Sequence, residues 1–194
     1  MNTLIQTATP NSPYNLTPKT MRRLKRVVHE IPVEVYGTIM VTEEGLDVTT
    51  WKLGSTASTG AIWSFPSYHT HPSNVYRAKN LSVAWPSLQD VEMVLHVFGR
   101  THRKTPRPTP LHVIFTREGH YTIDIPAHMR AKALKTYHEL NKCGKFPCCK
   151  TGDIPGGFCE AFDKDTLRDN PDMFPSYLAE VVRMGIVRIQ LYRW

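Results

Sequence analysis

Two histidines and an aspartate near the middle of the chain have the types and the spacing of an open metal site. His69 and His71 belong to the run HTHP at residues 69–72, and Asp90 ends the run SLQD at residues 87–90. In zinc hydrolases the metal takes three protein ligands of these types and leaves its fourth position to water, whose pKa it lowers toward neutrality. His69, His71 and Asp90 are therefore the candidate zinc ligands.

Hydrolysis at such a site also needs a base, and Glu34 in the run EVYG at residues 34–37 offers a carboxylate. Each element also has an ordinary structural explanation. A His-x-His pair on a strand simply shares one face, and Ser87 with Asp90 has the pattern of a helix start, with the serine as N-cap. The two explanations are compatible, because a capping serine and a first-turn aspartate can also face a metal.

The three runs occur in the order Glu-x-x-Gly, His-Thr-His-Pro, Pro-Ser-x-x-Asp, and together they resemble the JAMM (MPN+) family of zinc isopeptidases. The resemblance spans about residues 34–125. It implies that His69, His71 and Asp90 bind one catalytic zinc. It also implies that Glu34 activates the attacking water and that Ser87 hydrogen-bonds the tetrahedral intermediate.

One spacing departs from the pattern of this family. Ser87 lies sixteen positions after His71, roughly twice the usual interval. Because the entropy of loop closure grows only slowly with loop length, a longer loop at residues 73–86 is compatible with an intact metal site. We expect this loop either to shape a substrate groove or to lie on the surface as an ordinary solvated loop.

Hydrophobic periodicity divides the chain into helices and strands. Thr17 and Pro18 predict the start of a helix that ends before Pro32. Strands are predicted at about residues 33–41, 46–53, 61–68, 111–116, 121–125 and 186–192, and helices at about 88–99, 127–141 and 175–184. This order predicts an α/β (α+β) fold in which helices flank a mixed, mostly antiparallel sheet. The resemblance implies a JAMM/MPN-like arrangement of it.

The same reading predicts three segments. Residues 1–16 are polar and contain proline, so we expect a flexible N-terminal arm. Residues 17–126 form the JAMM/MPN-like catalytic core, and residues 127–194 form a helical, cysteine-containing extension packed on the core. The arm and the extension are the candidate surfaces for a protein partner.

The four cysteines lie close together in a segment rich in glycine and proline, and they are Cys143, Cys148, Cys149 and Cys159. Such clustering fits a local metal clip or free thiols better than the disulfide framework of a secreted protein. Some deubiquitinating members of the family carry a second, structural zinc in an insertion after the core. Two interpretations therefore stay open, a structural zinc held by these four thiolates and free, partly buried thiols.

Composition and charge narrow the class of protein. With 194 residues and 41% hydrophobic content, the chain is long enough for one domain with a proper core. It has no apolar run of membrane-spanning length and no basic start followed by an apolar core at its N-terminus, so we expect a soluble, cytoplasmic protein and no membrane partner. The net charge of +7 is spread over several segments, which disfavours nucleic acid as the partner.

Taken together, these features predict a zinc metallopeptidase that hydrolyses an isopeptide or peptide bond. The resemblance implies that the bond lies at the C-terminus of ubiquitin or a ubiquitin-like protein. The first alternative is a non-catalytic MPN-fold scaffold or a virion structural protein, although family members of that kind generally lack the metal ligands. The second alternative is a nucleic-acid-binding accessory protein, which only the charge and the basic segment at residues 100–107 support.

Overall fold

The computed structural model describes residues 6–7, 14–54, 64–74, 85–104, 109–142, 179 and 181–194. The helices whose bounds it describes are α1 (Pro18–Glu30), α2 (Leu88–Thr101) and α3 (Arg130–Lys142), and a 3-10 turn (Ala127–Met129) precedes α3. Residues 73–74, 179 and 181–183 are also helical. Its strands are β1 (Gln6–Thr7), β2 (Val35–Thr42), β3 (Gly45–Val48), β4 (Lys52–Leu53), β5 (Ser67–Thr70), β6 (Leu111–Thr116), β7 (Gly119–Asp124) and β8 (Arg188–Arg193). In the part of the chain that the structure describes, no helix has the length and apolar character needed to cross a membrane.

The strands form one sheet in the order β1-β8-β7-β6-β5-β2-β3, with β4 also paired to β2. The pairs β1–β8 and β5–β6 are parallel, and the other pairs are antiparallel. This confirms the predicted class, a mixed and mostly antiparallel sheet with helices. The central pairs β5–β6 and β2–β5 matter most for function, because they place the ends of three strands side by side.

Helices cover both faces of the sheet, and each face has its own apolar cluster. On one face α1 contributes Leu24 and Val28, which pack in one cluster with Val35 and Val113 of the sheet. The other face carries α2 and α3, and its cluster includes the residues Val91, Leu95, Ile114, Tyr121, Ala133 and Val181. The alternation of β6 side chains between the two faces explains why all six of its residues are buried.

Local signals set the ends of α1 as predicted. The Thr17 side chain accepts a hydrogen bond from the Thr20 amide at 3.3 Å, and Pro18 occupies the first turn, where its missing N–H costs nothing. The helix ends at Glu30, two residues before Pro32. Helix α2, predicted to end at about residue 99, runs to Thr101, and Gly99 gives room for the Tyr137 ring of α3.

Two described parts of the predicted N-terminal arm contact the sheet. Strand β1 pairs with β8, and the Leu16 side chain is buried against the α1 cluster. Leu16 also bridges to Leu46 of β3, and the Asn15 carbonyl accepts a hydrogen bond from the Leu46 amide at 2.7 Å. Residues 1–5 and 8–13 lie outside the described residues, so the expectation of a flexible arm stays a prediction for them.

The predicted extension at residues 127–194 contributes its last strand, β8, to the sheet itself. Strand β8 lies between β1 and β7, and its side chains Ile189 and Leu191 belong to the same apolar cluster as α2. Arg188 of this strand forms a two-pronged ion pair with Asp124 of β7, with nitrogen–oxygen distances of 2.9 and 2.6 Å. The C-terminal strand is therefore built into the core together with β6 and β7.

His120 of β7 holds the arm to the end of the sheet. Its Nε2 donates a hydrogen bond to the Tyr14 carbonyl at 3.0 Å, and its ring stacks on Tyr192 with centroids 4.5 Å apart. The Nδ1 atom is buried and has no hydrogen-bond partner among the described residues. Burial lowers the pKa of His120 from 6.5 to about 4, although the hydrogen bond to Tyr14 opposes this change. His120 is therefore neutral in the folded protein at neutral pH.

This burial predicts an acid-sensitive fold. His120 gains a proton more readily in the unfolded chain, so the free energy of unfolding should decrease as the pH falls from 6.5 to about 4. The full contribution is about 3 kcal/mol. In His120→Phe, which keeps an aromatic ring but removes the titrating group, unfolding in urea should be less pH-dependent across this window. The exposed His128, replaced by Gln, is the matched control and should keep the wild-type dependence. Equal slopes for wild type and His120→Phe would contradict the assignment.

Candidate metal centre

Two separate elements bring the three candidate ligands together. His69 lies in β5, His71 follows that strand, and Asp90 lies in the first turn of α2. The Nε2 atoms of His69 and His71 are 3.0 Å apart. The Asp90 carboxylate approaches both, with Oδ1 at 3.3 Å from His69 Nε2 and Oδ2 at 3.8 Å from His71 Nε2. All three side chains are buried, so the site is a closed cluster of two imidazoles and one carboxylate.

The backbone around the histidines fixes where they point. Thr70 lies between them, and its hydroxyl accepts a hydrogen bond from the Val35 amide of β2 at 2.8 Å. The His71 amide donates to the Phe115 carbonyl of β6 at 2.8 Å, just beyond the last pair of the parallel ladder. Since successive strand residues alternate in direction, the bonded Thr70 points one way and both imidazoles point the other.

Ser87 and Asp90 form the capping box that the sequence predicts. The Ser87 hydroxyl accepts from the Asp90 amide at 3.3 Å, and the Asp90 Oδ2 atom accepts from the Ser87 amide at 2.6 Å. The Ser87 hydroxyl also lies 2.8 Å from Asp90 Oδ2, to which it donates. The box holds the carboxylate at the positive end of α2. The same arrangement therefore caps α2 and holds the Asp90 carboxylate against the two histidines.

Glu34 precedes β2, the strand on the other side of β5. The antiparallel ladder of β2 and β5 ends at the pair Tyr36–His69, and Glu34 precedes Tyr36 by two residues. Residues two apart on an extended strand share a face. Val35, the next residue, is fully buried in the α1 cluster, which leaves Glu34 on the opposite face, where the histidines lie. Glu34 itself is only half-buried. The candidate base thus lies at the strand end nearest to the cluster.

His112 and Ser67 belong to the same cluster, and the sequence analysis missed both. The His112 Nε2 atom is 2.7 Å from His69 Nδ1, and its Nδ1 atom is 2.9 Å from the Ser67 hydroxyl. Both residues are completely buried. A signal for His112 did exist, because it is a histidine inside the strand LHVIFT, where the neighbouring positions are apolar. A single histidine in an apolar strand is nevertheless more often a core residue than part of a site.

The electrostatics of the cluster suit a divalent cation. Burial lowers the pKa of His69 below its usual value, and the Asp90 charge only partly opposes this. Burial, followed by the neighbouring His69, holds the pKa of His112 well below its usual value. Burial raises the pKa of Asp90, but His69, His71, His112 and the Ser87 hydrogen bond together outweigh it and lower the pKa. Neutral imidazoles beside an ionised carboxylate are the protonation states that metal ligands need.

Distances test which side chains fit a metal ion. Ligand atoms of His69, Asp90 and His112 all lie within 4.8 Å of one another, so this buried group could hold an ion. His71, the third ligand predicted from the sequence, is the alternative to His112. Tetrahedral zinc with nitrogen ligands at about 2.0–2.1 Å requires ligand atoms roughly 3.3 Å apart. The Nε2 atom of His69 lies 3.0 Å from His71 Nε2 and 3.3 Å from Asp90 Oδ1, and His71 Nε2 lies 3.8 Å from Asp90 Oδ2. His112 meets His69 at the other ring nitrogen, Nδ1, at 2.7 Å, which is a hydrogen-bond distance.

The second predicted metal site lies elsewhere in the chain. Cys143, Cys148, Cys149 and Cys159 all fall outside the described residues. A structural zinc at these thiolates therefore stays a prediction.

Among known protein-family models, curated proteins and solved structures, none matches this chain. The residues of the site provide three candidate metal ligands of the types zinc prefers, a carboxylate near the neighbouring strand end and the start of a helix.

Proposed function

We propose that the chain is a zinc-dependent hydrolase of amide bonds, acting by the chemistry of the JAMM family that its motifs resemble. The observation that carries this proposal is the convergence of His69, His71 and Asp90, whose ligand atoms lie 3.0–3.8 Å apart although Asp90 comes from a different element. Two imidazoles and one carboxylate fill three positions of a tetrahedral zinc and leave one for a water or a substrate.

Glu34 is the general base in this proposal. Bound zinc supplies a Lewis acid that acidifies water and polarises a carbonyl. The Glu34 carboxylate takes the proton of the attacking water and then, as a carboxylic acid, delivers it to the nitrogen of the leaving amine. Its place two residues before the Tyr36–His69 pair supports this role, because a base must lie beside the metal ligands without being one of them.

Ser87 and the start of α2 supply the stabilisation of the tetrahedral intermediate. The helix N-terminus favours negative charge, and the Ser87 hydroxyl is a second donor at the same place. That hydroxyl now donates to Asp90 Oδ2 at 2.8 Å. To act as an oxyanion donor it must rotate away from Asp90, whose Oδ2 keeps the Ser87 amide at 2.6 Å as a partner.

The substrate class follows from the family resemblance. We propose an isopeptide or peptide bond at the C-terminus of ubiquitin or a ubiquitin-like protein. The competing hypothesis, a non-catalytic MPN-fold scaffold, does not require a base and three buried metal ligands in one place. Their presence together favours the hydrolase.

The proposal is tested by metal analysis and hydrolysis on the same preparation. Purified full-length chain should contain zinc and should cleave at least one member of a panel of isopeptide-linked and linear ubiquitin and ubiquitin-like conjugates. A chelator should stop cleavage, and added zinc should restore it. Zinc with no cleavage of any conjugate would favour the scaffold. Cleavage that survives complete removal of the metal would exclude the proposed chemistry.

A further inference from the structure

His112 lies directly behind His69 in the interior of the sheet. It is completely buried in β6, and its Nε2 atom is 2.7 Å from the Nδ1 atom of His69. The two rings are 25° from parallel and their centroids are 4.9 Å apart, so they meet edge to edge through their nitrogens. At this distance one nitrogen must donate a hydrogen bond to the other.

The metal ligands decide the direction of that hydrogen bond. The Nε2 atom of His69 faces His71 and Asp90, at 3.0 and 3.3 Å, and must carry a lone pair to bind a cation there. The proton of a neutral His69 therefore lies on Nδ1, which donates to His112 Nε2.

A second hydrogen bond joins His112 to Ser67. His112 accepts at Nε2, so its own proton lies on Nδ1, which donates to the Ser67 hydroxyl at 2.9 Å. Ser67 and His112 are directly paired in the parallel β5–β6 ladder, which holds the two side chains side by side. The order Ser67, His112, His69 is therefore a chain of two hydrogen bonds that ends at the candidate metal ligand.

We propose that His112 and Ser67 are positioning residues that fix the tautomer and the ring orientation of His69, so that its Nε2 lone pair points toward the metal. This inference rests on the metal site proposed above. Histidine ligands commonly donate their second ring N–H to a partner, and loss of that partner typically lowers metal affinity ten- to a hundredfold. Here the partner is a second imidazole, held in turn by a buried serine.

The first test is zinc affinity, measured by competition with a chelator. His112→Leu removes the acceptor and should weaken zinc binding about ten- to a hundredfold. His112→Gln places an amide oxygen where Nε2 was and should recover most of that loss. Ser67→Ala removes only the outer hydrogen bond and should weaken binding about three- to tenfold. Ile114→Val, a buried change two residues along the same strand, leaves both hydrogen bonds in place and is the control for a disturbed core. Unchanged affinity in both His112→Leu and Ser67→Ala would overturn the proposal.

The second test counts the histidines bound to zinc, by X-ray absorption at the metal. Wild type and His112→Gln should both show two imidazole ligands at the catalytic site. Loss of one imidazole in His112→Gln would make His112 a metal ligand and would overturn the positioning role.

The third test needs no activity. Nitrogen-15 correlation spectra of the imidazoles in the zinc-loaded protein at neutral pH should show the proton on Nδ1 of both His69 and His112. A proton on His112 Nε2 in the zinc-loaded protein would overturn the proposal. This measurement is independent of the proposed hydrolysis, because the direction of the two hydrogen bonds can be decided even if the chain binds zinc and cleaves no conjugate.

Discussion

Replacement of Glu34 by Gln is expected to reduce amide hydrolysis on the order of a thousandfold while zinc content and stability stay at wild-type values. The amide has the shape of the carboxylate but cannot take a proton from the attacking water. Glu34 lies two residues before the Tyr36–His69 pair of β2 and β5, and its backbone carbonyl accepts from the Gly54 amide at 2.7 Å. This backbone bond is kept in the variant. The measurement is kcat/KM on the best conjugate of the panel, with zinc analysis of the same sample.

The matched control for this variant is Glu43→Gln. Glu43 is an exposed carboxylate directly after the other end of β2, so it tests the loss of one negative charge near the same strand. It should retain wild-type activity. If Glu34→Gln hydrolyses conjugates at near-normal rates, another group is the base.

Ser87→Ala is expected to reduce the rate on the order of a hundredfold, as for loss of a single oxyanion donor.

His69→Ala and His71→Ala are each expected to remove one zinc per chain relative to wild type. Two of the three ligands then remain, which is too few to hold zinc against a chelator or to build the site on folding. Each variant should also lose hydrolysis completely. The measurement is metal content after dialysis against a weak chelator, together with a thermal unfolding curve to confirm that the variant is folded.

Two comparisons make the result specific. His138→Ala removes an exposed histidine of α3 and should keep the wild-type zinc content. His71→Ala separates the two ligand sets that the distances allow. Full zinc occupancy in this variant would mean that His69, Asp90 and His112 form the metal site. Loss of zinc in His71→Ala, with only weakened binding in His112→Leu, would support the ligand set proposed here.

Short-range signals in the sequence determined individual helices and strands of this protein. Thr17 and Pro18 start α1, and Ser87 with Asp90 starts α2 through a capping box, because each of these hydrogen bonds joins residues only three apart. The alternation of apolar residues predicted β6 and β7, and the spacing of His69 and His71 predicted that two imidazoles share one face at a strand end. These features depend only on the local geometry of helices and strands.

Gly99 and Leu16 make contacts that local signals do not predict. Gly99 is needed for contact with Tyr137, almost forty positions away. Leu16 follows a polar, proline-containing segment, yet its side chain is buried beside Leu46. In both places the contact depends on a distant partner, and local composition carries no information about that partner.

Only the tertiary structure decided the rest of the site. The placement of Glu34 near the pair Tyr36–His69 depends on the register of β2 against β5, and a slip of one residue would turn Glu34 away from the cluster. The contact between His69 and His112 joins residues 43 positions apart. It exists because α2 connects β5 to β6 along the chain and the two strands pair in parallel. In the sequence His112 looks like any buried strand residue, since pairing between distant strands is fixed by the packing of the whole sheet.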